Sequence, residues 1–190
     1  MSIPSHPGHG AVLLLIDLQR AIDHPSWGER NNPAAEANQS ALLTHWRACR
    51  WPVWHVRHDS RQPDSHYRPG QPGHGFRPLT APIAGEPVIA KQTNSGFIGT
   101  SLEQDLRARG DLRLVVAGVI TNNSVEATVR MAGNLGFETW LVGDACFTFA
   151  REDYRGLLRT ADEVHAMSLA NLNGEYCFVA RTADILEDCS

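Results

Sequence analysis

Three polar side chains lie where apolar stretches of the sequence end, and their types suit proton transfer and nucleophilic attack. Asp17 directly follows the apolar run 11–16, and Lys91 ends the shorter run 88–91. A carboxylate at the end of a buried strand loses hydration, which raises its pKa towards that of a usable general base. An unpaired buried ammonium is costly, so Lys91 favours a nearby carboxylate and could stabilise developing negative charge.

The third side chain, Ser124, follows a short apolar run and a tight turn in the segment GVITNNSVEAT at 118–128. A helix beginning here would present unpaired backbone N–H groups and positive potential beside a nucleophilic atom. Each of the three residues also has a purely structural interpretation. Asp17 would cap the next segment, Lys91 would be a solvated strand end, and Ser124 would be a helix N-cap.

Short apolar runs alternate with amphipathic stretches, which predicts strands and helices in alternation. We predict strands at 11–16, 53–58, 88–91, 112–117, 137–142 and 176–180, and helices at 33–50, 100–109, 124–135 and 160–172. A capping-box pattern at 100–103 marks the start of the second helix. The predicted fold class is α/β, a three-layer αβα arrangement around a mostly parallel, Rossmann-like sheet of about six strands.

Ligands of such sheets bind beyond the carboxyl ends of the strands, near the switch in strand order. Asp17, His58, Lys91 and the segment after Gly118 each lie at the end of a predicted strand, so they are the candidate site residues. A dinucleotide-binding module is excluded, because LQRAI follows the first strand where a GxGxxG turn would be needed.

Length, net charge and the lengths of the apolar runs exclude several classes of protein. The 190 residues predict a single domain, 1–190, with its core at about 11–180. The net charge of −4 leaves no basic excess for phosphates, which argues against a nucleic-acid partner. No apolar run approaches the roughly 20 residues that would cross a membrane, and the pattern of a signal peptide is missing.

The four cysteines, Cys49, Cys146, Cys177 and Cys189, show no CxxC spacing, which argues against a disulfide framework or a zinc site. We expect Cys146 to pack in the core. Reduced thiols without an export signal predict a cytoplasmic location. The Pro- and Gly-rich stretch 60–87 is too long for a bare connector, so we expect it to cover the site or contact a partner subunit.

The ordered set of motifs resembles the isochorismatase-like cysteine hydrolases, a superfamily that includes nicotinamidases and N-carbamoylsarcosine amidohydrolases. The resemblance rests on LLIDLQ at 14–19, KQTNSGFIGT at 91–100, GVITNNSVEAT at 118–128, RMAGNLGF at 130–137 and GDAC at 143–146. It extends over about 11–180 in the expected order. It implies hydrolysis of a small molecule, most simply at an amide-type C–N bond, without a cofactor and by a homo-oligomer, either a dimer or a tetramer.

The resemblance also assigns roles to residues. Asp17 would be the general base, Lys91 its charge partner and position 124 the nucleophile. The family commonly has a non-proline cis peptide in this turn, which here would join Val119 and Ile120. The backbone N–H groups of Ile120 and Ser124 would then form the oxyanion hole.

Position 124 departs from the family, because the family has Cys where this chain has Ser. A Ser hydroxyl is much less acidic than a thiol and needs a strong, well-aligned base. Three interpretations stay open. The Ser replaces a Cys by design to trap a substrate, it belongs to a naturally slow or inactive relative that binds a small molecule, or the reaction needs no thiol because Asp17 protonates a vinyl ether.

Six further residues are predicted to contact the substrate: Gln19, Trp27, His58, Asn94, Phe97 and Phe149. Some nicotinamidases of the superfamily hold a metal after the second strand. A comparable set here would use His58, Asp59 and His66, but we predict no metal, because His55 and His58 face opposite sides of the strand and His66 lies in a loop.

Overall fold

The computed structural model describes residues 6–186, which form an αβα sandwich around one parallel sheet. The strands are β1 (Val12–Ile16), β2 (Val53–His58), β3 (Val88–Lys91), β4 (Arg113–Val119), β5 (Glu138–Phe147), β6 (Arg151–Glu152), β7 (Leu158–Arg159) and β8 (Phe178–Ala180). The helices are α1 (Ala35–Ala48), α2 (Leu102–Arg109), α3 (Glu126–Asn134), α4 (Ala161–Leu172) and α5 (Thr182–Leu186). Short 3-10 turns lie at Arg20–Asp23, Pro25–Trp27 and Pro78–Thr80, and a π-helical turn lies at Thr121–Val125.

The sheet has the strand order β3-β2-β1-β4-β5-β8, and every neighbouring pair is parallel. All the carboxyl ends therefore meet at one edge. The winding reverses between β1 and β4, which makes the ends of these two strands the switch point where ligands bind in such folds. The predicted fold class is confirmed. β6 and β7 form a separate antiparallel hairpin.

Both faces of the sheet are covered, and this explains why β1 is apolar throughout. Its five residues are all buried, alternately on the two faces. Leu13 and Leu15 belong to the apolar cluster that includes α1 and α5. Val12, Leu14 and Ile16 belong to the cluster that includes α2, α3 and α4. A strand buried on both faces gains apolar contact at every residue, so its sequence shows no alternation.

The predicted capping box at 100–103 is wrong. The N-cap of α2 is Ser101, whose side chain makes no capping hydrogen bond. The Thr100 hydroxyl donates instead to the Gly96 carbonyl at 2.6 Å, and Glu103 pairs with Arg107. A reciprocal capping box forms at the start of α4, between Thr160 and Glu163.

Two other elements differ from prediction in extent. The helix expected at 124–135 begins with the π-helical turn Thr121–Val125 and becomes α-helical only at Glu126. β5 continues to Phe147, five residues beyond the predicted end at 142, because its second half pairs with β4 after an irregularity in register between Val116 and Gly118. Such a shift is invisible in hydrophobic periodicity.

The three cysteines within residues 6–186 are free thiols. Cys146 and Cys177 are buried, and desolvation raises the pKa of each thiol to about 12. Cys146 therefore packs in the core, as expected. Cys49 is a half-buried free thiol, and Cys189 lies outside the described residues. Within residues 6–186, the helices are too short or too polar to span a membrane.

Gly118 allows β4 to approach β1 at the switch point. A methyl group on its Cα would lie 2.3 Å from the carbonyl oxygen of Ile16, and φ is +147°. Gly118 is paired in register with Ile16, directly before Asp17. Only a residue without a side chain fits here, so this contact sets how closely the end of β1 and the start of the π-helical turn can approach.

We expect Gly118→Ala to lower the free energy of unfolding by more than about 3 kcal/mol, because the new methyl group overlaps backbone that the sheet holds in place. Gly136→Ala is the matched control: φ is +82° there, with open space around the Cα. Gly136→Ala should lower the free energy of unfolding by about 1–2 kcal/mol, because only its backbone conformation is unfavourable for alanine. Urea denaturation measures both, and equal losses would contradict the steric argument.

Candidate active site

Asp17 lies at the carboxyl end of β1 with its side chain buried. Its backbone turns off the sheet with φ at +54°, a conformation that Asp tolerates better than most residues. Its N–H still donates to the Val56 carbonyl at 2.9 Å, which ties the turn to β2. The residue is 3% exposed, and its Oδ1 atom has no hydrogen-bond partner among residues 6–186.

Lys91, the last residue of β3, brings the site together. Its side chain is fully buried and its Nζ donates to Asp17 Oδ2 at 2.7 Å and to Ser124 Oγ at 3.0 Å. Nζ also lies 3.2 Å from the Thr93 carbonyl and 3.3 Å from His58 Nδ1. Three segments far apart in sequence therefore converge on one ammonium group.

Ser124 is carried by the π-helical turn after β4, and two hydroxyl contacts fix it. The Val119–Ile120 peptide bond is cis, at the place that the resemblance indicated. The Thr128 hydroxyl donates to the Ser124 carbonyl at 2.7 Å and accepts from the Gly96 N–H at 2.9 Å. This pair of bonds ties the segment after Lys91 to the turn.

Helix α4 and the end of β5 hold the same turn from its other side. The Thr121 hydroxyl lies 2.9 Å from His165 Nδ1, and both side chains are buried. The Thr148 hydroxyl donates to Asn122 Oδ1 at 2.5 Å. Sequence reasoning missed these contacts, because nothing local links α4 to the turn.

Burial dominates the electrostatics of the site. Desolvation raises the pKa of Asp17, and the nearby Lys91 ammonium and Ser124 hydroxyl only partly oppose this. Desolvation, together with the Lys91 charge, lowers the pKa of His58 to about 4. His58 is therefore neutral near pH 7, which lets Nδ1 accept a hydrogen bond from Lys91.

A cavity of about 470 Å³ opens onto these groups. Its lining comprises Asp17, Trp27, His58, Ser60, Arg61, Gln62, Ser65, Tyr67, Gln92, Thr93, Asn94, Val119, Ile120, Asn123 and Ser124. Of the six predicted substrate contacts, Trp27, His58 and Asn94 lie in this wall. Ile120 and Ser124, expected to supply the oxyanion hole, also border it.

The other three predicted contacts lie behind the wall. The Gln19 amide donates to the His58 and His74 carbonyls and accepts from the His58 N–H, so it holds the loop in place. Phe97 packs in the core against Phe137, with 5.5 Å between ring centroids. Phe149 stacks on Trp27 at 5.6 Å and supports that wall residue.

Sequence reasoning did not identify the residues that close the cavity. Ser60, Arg61, Gln62, Ser65 and Tyr67 come from the stretch expected to cover the site or a partner, and they cover the site. Gln92, Thr93 and Asn123 adjoin named residues, so adjacency to Lys91 and Ser124 was a usable signal. The loop carries no periodic pattern that would show which of its side chains point inward.

No group of three His, Cys, Asp or Glu side chains within residues 6–186 is placed to hold a metal ion. His66 stacks on His24 with 3.6 Å between ring centroids. The Asp59 carboxylate pairs with Arg57 and His74.

Comparisons with known proteins identify relatives of this chain. The isochorismatase domain model matches residues 11–178. A solved structure from Chromobacterium violaceum, described as a hydrolase of the isochorismatase family, is 64% identical with a TM-score of 0.92, covering 94% of this chain and 93% of that one. The Bacillus subtilis isochorismatase family protein YrdC is 38% identical over 93% of this chain and 95% of its own length. Nicotinamidase 3 of Arabidopsis thaliana is 28% identical over 78% of each chain. This chain belongs to the isochorismatase family of hydrolases.

Proposed function

We propose that this protein hydrolyses an amide-type C–N bond of a small molecule, with Asp17, Lys91 and Ser124 as its catalytic residues. The observation that carries the proposal is the pair of hydrogen bonds from Lys91 Nζ, 2.7 Å to Asp17 Oδ2 and 3.0 Å to Ser124 Oγ, while Asp17 and Ser124 both line one cavity. A base and a nucleophilic atom thus share one ligand-accessible space, and the buried Lys91 ammonium bonds to both. The similarity to a nicotinamidase, a protein named for an amide substrate, supports the same reaction class.

The first half of the reaction forms an ester. The Asp17 carboxylate takes the proton from the Ser124 hydroxyl while Oγ attacks the carbonyl carbon of the substrate. The backbone N–H groups of Ile120 and Ser124 stabilise the resulting oxyanion. The carboxyl group of Asp17 then gives its proton to the leaving nitrogen, the C–N bond breaks, and the amine departs.

The second half releases the acid. Asp17 takes a proton from a water molecule, whose oxygen attacks the ester carbonyl, and the proton returns to Ser124 Oγ as the C–O bond breaks. Lys91 stays charged throughout and stabilises negative charge on Asp17 and Oγ. Burial of Asp17 raises its pKa, which makes it a stronger base than an exposed Asp.

A second candidate reaction is hydrolysis of a vinyl ether, with Asp17 as the general acid. Two observations favour it: burial raises the Asp17 pKa, and Oδ1 has no hydrogen-bond partner within residues 6–186, so it is free to hold a proton towards a ligand. Asp17 would protonate the vinyl carbon, water would add to the resulting oxocarbenium carbon, and the hemiketal would break into a ketone and an alcohol. Ser124 is not needed as a nucleophile in this reaction.

We predict that Ser124→Cys increases the turnover of carboxamides by about tenfold or more, because a thiol is far more easily ionised beside an ammonium and a helix N-terminus. Ser124→Ala should abolish amide hydrolysis. Steady-state kinetics of the three proteins on a panel of small amides measures this. Ser95→Cys is the control for an added thiol, because Ser95 is buried nearby but does not line the cavity.

Comparable amide hydrolysis by the wild type and Ser124→Cys would defeat the acidity argument. Full activity of Ser124→Ala on vinyl ethers would favour the second reaction. Saturable binding without turnover in either the wild type or Ser124→Cys would indicate a protein that only binds its ligand.

The pH dependence distinguishes the two reactions by its sign. As a general base, Asp17 must be ionised, so amide hydrolysis falls as the pH drops through its pKa. Because burial has raised this pKa, the acid limb of kcat/KM should lie above the ordinary value of 3.8. As a general acid, Asp17 must be protonated, so vinyl ether hydrolysis falls as the pH rises through the same pKa.

Two variants test which residue controls the acid limb of kcat/KM. Asp17→Asn should lower kcat/KM by about 100-fold or more. His58→Gln removes the neighbouring group whose pKa is about 4 and should leave the position of the limb unchanged. An acid limb that disappears in His58→Gln would show that His58, and not Asp17, controls it.

A cytoplasmic location and a homo-oligomeric state stay predictions from the sequence. Gel filtration with light scattering tests the second directly.

A further inference from the structure

The charges that line the active-site cavity do not balance. The Asp17 carboxylate faces the Lys91 ammonium, and the two formal charges cancel. His58 is neutral near pH 7. Arg61 is the remaining charged side chain of the lining, and within residues 6–186 it makes no ion pair or hydrogen bond. The cavity therefore carries an excess positive charge at its rim.

The lack of a partner for Arg61 contrasts with other arginines of the surrounding structure. Arg57 pairs with Asp59 at 2.8 Å, and Arg77 pairs with Glu36 at 3.0 Å. Arg61, an exposed residue in the cavity lining, has no carboxylate partner within residues 6–186.

The rest of the lining separates into two kinds of surface. One side is apolar and is formed by Trp27, Tyr67, Val119 and Ile120. The remaining uncharged lining residues carry amides and hydroxyls and include Gln62, Gln92, Asn94 and Asn123. An apolar wall suits a short hydrocarbon segment, while neutral amides leave the charge of a ligand to be met by Arg61.

We propose that the substrate is a small amide with a carboxylate group, which Arg61 binds while a short apolar spacer lies against Trp27 and Tyr67. This inference rests on the proposed amide hydrolysis and names its substrate class. A guanidinium binds a carboxylate through two parallel hydrogen bonds, which gives direction as well as attraction. The bound carboxylate would fix the distance between its own end of the molecule and the carbonyl that Ser124 attacks.

The test uses half-amides of linear dicarboxylic acids with three to six carbons, each paired with the neutral alkyl amide of the same carbon number. Dissociation constants are measured by calorimetry in the Ser124→Ala background, which keeps the charges of the site and forms no ester. We expect the best-fitting half-amide to bind about tenfold more tightly than its neutral partner, with the preference falling as salt is added.

Variants of Arg61 test the assignment in that background. Arg61→Gln should reduce the preference for the half-amide towards one, and Arg61→Lys should restore part of it. Arg68→Gln is the matched control, since Arg68 lies on the same loop outside the cavity lining and, within residues 6–186, its side chain bonds only to the Pro63 carbonyl, at 3.4 Å. It should keep the full preference.

Three results would overturn the inference: no half-amide that binds more tightly than its neutral partner, no measurable binding of either, or an undiminished preference in Arg61→Gln. Failure of the catalytic proposal looks different. The preference and its dependence on Arg61 would then persist, while neither the wild type nor Ser124→Cys would hydrolyse the half-amide that binds best.

Discussion

The buried charge of Lys91 is the constraint on which the site depends. An ammonium removed from water costs several kcal/mol unless other groups replace its hydration. Here Asp17, Ser124, Thr93 and His58 supply those groups, and all but Thr93 come from segments far from Lys91 in the sequence. Satisfying this one charge therefore positions a carboxylate and a hydroxyl beside each other, which is the arrangement that the chemistry needs.

The sheet makes that convergence possible. Parallel strands deliver their carboxyl ends to one edge, and the reversal of winding between β1 and β4 leaves a gap there. Gly118 sets the spacing at this gap, because the backbone of β1 occupies the space that a side chain would need. The surrounding hydroxyls and amides, such as Thr128 and Gln19, then hold the loops so that the cavity keeps its shape.

The positions of several strands, and the importance of Asp17, Lys91 and Ser124, were predictable from the sequence for different reasons. A continuous apolar run indicated that β1 is buried on both faces, and the shorter runs at β2 and β3 located those strands to the residue. Asp17 and Lys91 stood out because charged groups are rare directly after such runs. Phe97 and Phe149 were predicted to contact the substrate, but both lie outside the cavity lining. An aromatic residue near a site packs equally well into the core or the cavity wall, and its sequence position does not show which.

By itself, the sequence determined the layered α/β fold, the pairing of Asp17 with Lys91 and the delivery of Ser124 by a turn after a strand. These follow from local pattern and from the cost of leaving a charge unpaired. Tertiary structure alone decided that Arg61 and Tyr67 face the cavity, that His165 contacts the turn, and that Gln19 holds a loop. Such contacts join residues far apart in the chain through loops without periodicity, and three-dimensional packing is what brings them together.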